Sequence, residues 1–271
     1  MSTKFDFEID SETSIDISTV LESATNYTED DVDIILIKKN HELLSQNEPS
    51  YMRLLWGRTM LDWVKLGLGG KVNLVEDGPT LDVVKPKLST KPITLVAFAD
   101  TPLLFFELVV EMLNEVNMDG GKIKNFGGAY MGATNQFREA SALPIKREPR
   151  WESLEYMRHV TDFVSLSNAE RELHDRIVYS YMKKGVYFQN PETTLVDTGI
   201  EFGKNVTIGP GNVISGKVKV GNNVKLQANN VIENCTIGDN VELLNCVVKN
   251  SKIDNNCKVK PFSVIENEKG D

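Results

Sequence analysis

Apolar residues recur every six positions through the last third of the chain. Val196, Phe202, Ile208, Ile214, Val220, Leu226 and Ile232 follow one another at that spacing. The step then shortens to five, reaching Ile237, and the series continues through Leu243, Val248, Ile253, Val259 and Ile265. A period of six matches neither an α-helix nor a simple hairpin. It predicts a three-sided parallel solenoid, one short strand and one turn per repeat, from about Val196 to Ile265. The residues of this series point inward. A second small or apolar set, Ile200, Val206, Asn212, Val218, Val224 and Asn230, lies four residues after each. Gly203, Gly209 and Gly221, with the many Asn residues (Asn205, Asn222, Asn223, Asn229, Asn240, Asn255 and Asn256), are expected at corners that need positive φ.

Ahead of the repeat the period changes to that of a helix. Ser165 to Gly185 carries an apolar stripe of Leu173, Ile177, Val178, Tyr181 and Met182. Ser167 and Glu170 have the spacing of a capping box, Lys183 and Lys184 suit the negative end of the helix dipole, and Gly185 suits the C′ position. Further upstream, Ile34-Ile35-Leu36 and Ile93 to Ala99 read as buried strands, and Met60 to Leu68 as a helix. Strands alternating with helices predict a compact α/β domain with a mostly parallel sheet. Gly120-Gly121 and the run Gly127 to Gly132 read as a turn with a bulge, or as a loop near a ligand. Trp151 and a helix around Glu152 to Arg158 have no assignable role.

Composition narrows the classes. The net charge is −9, and residues 1–33 hold ten acids against one lysine, which accounts for all of it. The remainder is neutral, with no basic stripe, so nucleic acid is not an expected partner. The acidic leader reads as a solvated tail or a segment for a partner. Neither a signal peptide nor a run long enough to span a bilayer is visible, which makes a cytoplasmic protein the expectation. Cys235, Cys246 and Cys257 are spaced by eleven, but the repeat turns each to a different side of the solenoid. They are expected to be core residues, not a metal site or a disulfide framework.

Hexapeptide repeats of this kind resemble those of the left-handed parallel β-helix family, which implies a homotrimer. The phrases AERELHDRIVYSYMKKGVYFQNPETTLVD and VIENCTIGDNVELLNCVVKNSKI resemble the linker helix and first coils of one family in particular. That family is the bifunctional enzyme making UDP-N-acetylglucosamine, which joins an N-terminal uridyltransferase to a C-terminal acetyltransferase β-helix. The match stops before the family's acetyl-transfer residues. His41, His159 and His174 all precede the repeat and no arginine follows Arg176, so acetyl transfer is not expected of these coils.

The resemblance implies four segments: an acidic leader 1–30, a reduced nucleotidyltransferase-like (Rossmann-like) domain 31–164, a linker helix 165–185 and a left-handed β-helix 186–271. In the first domain, IILIKKNHELLSQNEPSYMRLLWGRTMLDWV resembles the family's strand, glycine-rich loop and following turn. Pro49, Gly57 and Met60 fall on the family's positions. The loop glycines are replaced by Lys39 and His41, the loop arginine by Leu43, and the lysine after the proline by Ser50. A phosphate cradle needs bare backbone N–H groups that the ligand can approach closely. Losing the two cations removes charge-assisted bonds of roughly 1.5–3 kcal/mol each. Lys38, Lys39, His41 and Arg53 could rebuild a charged loop; otherwise Lys38 to Ser45 is a plain solvent-facing loop and helix.

Two carboxylates match the family's metal ligands. Asp100, in Asp100-Thr101-Pro102-Leu103, falls on the magnesium-binding aspartate, and Asp162 on the second ligand. They imply a Mg²⁺ site; the alternative for Asp100 is to cap a helix over Pro102 to Asn114. Glu76-Asp77-Gly78-Pro79-Thr80 is a weak match to the family's nucleotide segment, which makes Lys38, Lys39 and Gly78 the candidate nucleotide residues. The resemblance leaves two readings. One is a nucleotidyltransferase-like protein with an eroded loop, acting as an inactive or regulatory trimeric scaffold. The other is an active sugar-1-phosphate nucleotidyltransferase using Mg²⁺, a nucleotide and a sugar phosphate.

Overall fold

A computed structural model describes residues 31–45, 48–69, 72–149 and 157–267. The acidic leader, Trp151 and most of the helix expected at Glu152 lie outside them. The chain divides into two compact units between Ala169 and Glu170.

The first unit is built on a mixed sheet of five described strands in the order β4-β1-β5-β7-β6. These are β1 (Val32–Lys38), β4 (Asn73–Glu76), β5 (Ile93–Phe98), β6 (Lys124–Asn125) and β7 (Ala129–Ala133); β2 (Leu54–Leu55) and β3 (Arg58–Thr59) form a separate hairpin. β1 pairs in parallel with both β4 and β5, whereas β7 runs antiparallel to β5 and to β6. β7 therefore departs from the mostly parallel sheet expected: the short turn at Gly127 and Gly128 leaves room for a hairpin but not for a crossover. The alternating residues of β1 and β5 fill both faces. Ile35, Ile37, Val96 and Phe98 pack with Val75, Val84 and Phe137 on one side. Leu36, Leu95 and Ala97 are fully buried on the other. Burial on both faces is why these strands read as unbroken apolar runs.

The helices are α1 (Met60–Gly67), α2 (Thr80–Val84), α3 (Phe106–Met118), α4 (Thr134–Glu139) and α5 (Phe163–Lys183). α3 starts later than the helix expected from Pro102, and its N-terminus has no side-chain cap. α5 starts earlier than the helix expected from Ser165. Asp162 and Ser165, not Ser167 and Glu170, close its N-terminus, each side chain accepting from the other's backbone N–H at 2.8 and 3.1 Å. Its C-terminus matches the expectation: Gly185 has φ +93°, and the Val186 N–H donates to Tyr181 O, as in a Schellman motif.

The second unit is the left-handed β-helix of hexapeptide repeats, with three parallel faces. Face I holds Tyr187–Phe188, Thr207–Ile208, Lys225–Leu226 and Glu242–Leu243, extended by a bridge to Lys258. Face II holds Leu195–Val196, Val213–Ser215, Val231–Glu233, Val247–Lys249 and Val264–Glu266. Face III holds Glu201–Phe202, Lys219–Val220, Thr236–Ile237 and Lys252–Ile253. The period-six residues point inward, and those from Ile208 to Ile253 are buried. Tyr181 of α5 donates its hydroxyl to Asp197 O and accepts from Ile200 N.

Asn205, Asn223, Asn240 and Asn256 take φ between 55° and 61°, and their side chains form a hydrogen-bonded ladder up one corner. The glycines divide differently from expectation. Gly203, Gly209 and Gly221 are not among the positive-φ residues; a Cβ on Gly203 would lie 2.6 Å from Gly221 C, so they permit close stacking of coils. The cysteines stand in three separate columns. The Cys246 N–H continues a buried polar ladder from Asn212 and Asn230, Cys235 is buried, and Cys257 is partly exposed; all three are free thiols. No described helix is long and apolar enough to cross a membrane.

Candidate functional site

The carboxyl ends of β1, β4 and β5 lie side by side, where an open α/β sheet offers its ligand crevice. Asp100 follows β5 and is 0% exposed. Its Oδ2 lies 2.6 Å from His41 Nε2, and its Oδ1 lies 2.9 Å from His159 Nδ1. His159 Nε2 in turn lies 3.2 Å from Gly127 O. Both of its ring nitrogens therefore face oxygen atoms. Phe98 meets that ring edge-on with centroids 5.1 Å apart. Burial acts to raise the Asp100 pKa. The hydrogen bonds and charge of His159 and His41 outweigh it and hold the carboxyl below its ordinary value.

The glycine segment is part of this construction. Gly127 takes φ +94°, and a Cβ on Gly128 would lie 2.7 Å from Met157 O and 2.9 Å from Thr101 Cγ2. The close approach lets residues 157–160 run past Asp100, whose carbonyl accepts from Val160 N at 2.7 Å.

The loop after β1 is closed by its own side chains. The Lys39 N–H donates to Ile37 O, the Asn40 N–H to Asp77 Oδ2 at 3.4 Å, and the His41 N–H to Ser50 Oγ at 2.9 Å. Ser50 is fully buried, and its own N–H donates to Asn40 Oδ1. The candidate cations are engaged as well. Lys38 pairs with Glu76 and Lys39 with Asp77, both at 2.7 Å. Burial works to raise the Asp77 pKa, but the bond from Lys39 and the backbone bonds of Asn40 and Gly78 bring it below its usual value. Lys38, Lys39 and Gly78 thus do gather at the carboxyl ends of β1 and β4, but within a network of internal hydrogen bonds and ion pairs.

Asp162 lies on the surface, where its carboxylate accepts from the Ser165 N–H and hydroxyl. The Ser165 backbone bond, then the Ser165 hydroxyl bond, lowers its pKa. As for Asp100, its partners are histidines and it caps no helix, because α3 begins at Phe106.

A magnesium ion suits a set of carboxylate oxygens with water. Here both oxygens of Asp100 face imidazole nitrogens and Asp162 is used in capping. Among the described residues no group of three or more His, Cys, Asp or Glu is placed to hold a metal. The donor set does not fit the ion.

His159 belongs to no motif that the sequence displays. Its signal was composition: a chain with three histidines places two of them on one buried aspartate.

Comparison with known proteins agrees with the resemblance drawn from sequence. Residues 199–234 match the family model described as bacterial transferase hexapeptide (six repeats). The chain is similar to the bifunctional protein GlmU of Clostridium beijerinckii, at 31% identity over 163 residues, covering 60% of this chain and 34% of that protein. It is also similar to the GlmU of Caldanaerobacter subterraneus, at 36% over 109 residues, covering 40% and 24%. With that of Corynebacterium glutamicum the figures are 24% over 198 residues, covering 72% and 40%. The chain thus spans well under half the length of these relatives.

Proposed function

We propose that this chain is a nucleotidyltransferase-like protein whose head does not transfer nucleotides, and that it serves as a β-helix-assembled scaffold or regulator. One observation carries the reading: Asp100, the residue matching the family's magnesium ligand, is fully buried, with one carboxylate oxygen against His41 and the other against His159. His41 stands where the family has a loop glycine. An imidazole that grew into the crevice occupies the carboxylate oxygen a cation would take. The loop amides and Lys38 and Lys39 are satisfied by neighbouring residues, so a triphosphate would have to break these contacts before making its own. Three free thiols fit a reducing, cytoplasmic setting.

The test is release of pyrophosphate from UTP and other nucleoside triphosphates, with Mg²⁺ and a panel of sugar 1-phosphates. No release is expected, and no melting shift with nucleotide. Release that Asp100→Ala abolishes while the protein stays folded would establish the active, Mg²⁺-dependent sugar-1-phosphate nucleotidyltransferase instead.

A further inference from the structure

A groove of about 490 Å³ opens at the end of the sheet opposite the crevice, between the start of β5, the turn after α3 and the start of α4. Its lining among the described residues carries two cations, Lys91 and Arg138, and no acid. Thr90, Asn117 and Asn135 add polar side chains. Main-chain carbonyls set the two cations in place. Lys91 Nζ donates to Val32 O at 3.0 Å, and the Arg138 guanidinium donates to Ser89 O. Neither forms an ion pair with a described carboxylate, whereas Lys38, Lys39, Lys65 and Lys124 of the same unit each have an acidic partner. An ammonium carries three donors and a guanidinium five, so most of theirs remain for a ligand. Asp33, next to Val32, is buried and accepts from Asn73 Nδ2 and the Ser89 N–H instead. The carbonyls of Val116 and Asn117 that end α3 beside the groove accept from the Gly121 and Gly120 N–H groups.

The opposite charge lies in the same chain. Residues 1–30 hold eight acids against Lys4, while the chain after residue 33 is neutral overall. This leader joins the fold at Asp31 and Val32, and the Val32 carbonyl is the one that Lys91 holds. The leader acids closest in sequence to that point are Glu22, Glu29 and Asp30. Nine extended residues reach roughly 30 Å, enough to pass from Val32 across a cavity of this volume. A single exposed ion pair is weak. Tethering at the rim raises the effective concentration of the segment to the order of mM, so weak pairs suffice in cis.

We propose that the groove seats an extended acidic segment, and that its occupant is the leader of the same chain, with carboxylates among Glu22, Glu29 and Asp30 taking the remaining donors of Lys91 and Arg138. Both partners are charged and the groove is open, so the contact weakens as salt rises. The groove and the crevice lie at opposite ends of the sheet, so this seat is independent of whether the head transfers nucleotides.

The experiment is cleavage of the full chain after Glu22 and Glu29 by a glutamate-specific protease, with a free peptide of residues 17–31 as the reference at each salt concentration. Cleavage tracks the undocked fraction when docking exchanges quickly. At low salt the wild type should be cut at least about tenfold more slowly than the peptide. Lys91→Glu with Arg138→Glu should bring the rate to that of the peptide, and Lys91→Arg with Arg138→Lys should keep the protection. A wild type cut as fast as the peptide, or protection that survives the charge reversal, would overturn the proposal. Protection that fades as the chain is diluted would mean the leader of a second copy and would equally overturn it. If circular dichroism shows the reversed variant unfolded, salt decides on the wild type: loss of protection at about 1 M salt with the fold intact supports the seat, and unchanged protection refutes it.

Discussion

His41 Nε2 lies 2.6 Å from Asp100 Oδ2, with the carboxylate wholly buried and the imidazole about one-fifth exposed. His159 holds the other oxygen. In a cation site kept apart from its metal, deleting a buried carboxylate relieves repulsion and tends to stabilise the protein. Here the same deletion takes away the buried partner that both imidazoles share. Asp100→Ala is therefore expected to destabilise the first unit by about 3 kcal/mol. Urea unfolding in the presence of a chelator measures this, and a variant as stable as the wild type would count against the clamp.

The pH dependence follows from the same pair. The folded Asp100 pKa lies below its ordinary value, so the folded state favours the ionised carboxyl. Its contribution is complete above the unfolded carboxyl pKa of about 3.9 and is lost as pH falls through the lower folded value. The stability gap between wild type and Asp100→Asn should therefore stay level from pH 6 to 5 and close below pH 4. A gap that widened on acidification would contradict a lowered pKa in the folded state.

The closed loop predicts what reversal would do. Lys39→Gly, His41→Gly, Leu43→Arg and Ser50→Lys together remove the side chains that pair with Asp77 and Asp100 and place two cations in the loop. Each charge-assisted bond regained is worth roughly 1.5–3 kcal/mol. UTP with Mg²⁺, which should leave the wild-type melting temperature unchanged, should raise that of the four-site variant. Equal shifts in the two proteins would mean that the loop does not govern nucleotide access.

How far the chain was readable follows from what each signal depends on. The solenoid was legible because period six is a local pattern, and each inward residue, from Ile208 to Ile253, needs only its own repeat to be identified. The fate of Asp100 was not, because 59 residues separate it from His41 and 59 from His159. No spacing rule joins such residues; the sheet does, by placing the ends of β1 and β5 together. The start of α5 was obscured by local competition. Two capping pairs lay within five residues of each other, and Asp162 with Ser165 prevailed over Ser167 with Glu170. Gly203, Gly209 and Gly221 are needed for another reason than φ, close contact between coils, which leaves no trace in a single repeat.

Asn240 tests the corner chemistry of the β-helix. It takes φ +57°, accepts from Asn223 Nδ2 at 3.1 Å and donates to Asn256 Oδ1 at 2.9 Å. Two effects separate by substitution. Asn240→Gly keeps an easy left-handed backbone but breaks the ladder. Asn240→Ala breaks the ladder and also places a Cβ in a region that costs roughly 1–2 kcal/mol. The exposed ladder bonds are worth about 0.5–1 kcal/mol each at most. Chemical denaturation should therefore rank wild type above Asn240→Gly, and Asn240→Gly above Asn240→Ala, with the second gap about as large as the first or larger. Asn222 sits next to the same corner without positive φ, so Asn222→Ala and Asn222→Gly should not show that second gap in the same direction. If alanine and glycine proved equivalent at position 240, the corner asparagines would be there for their hydrogen bonds alone.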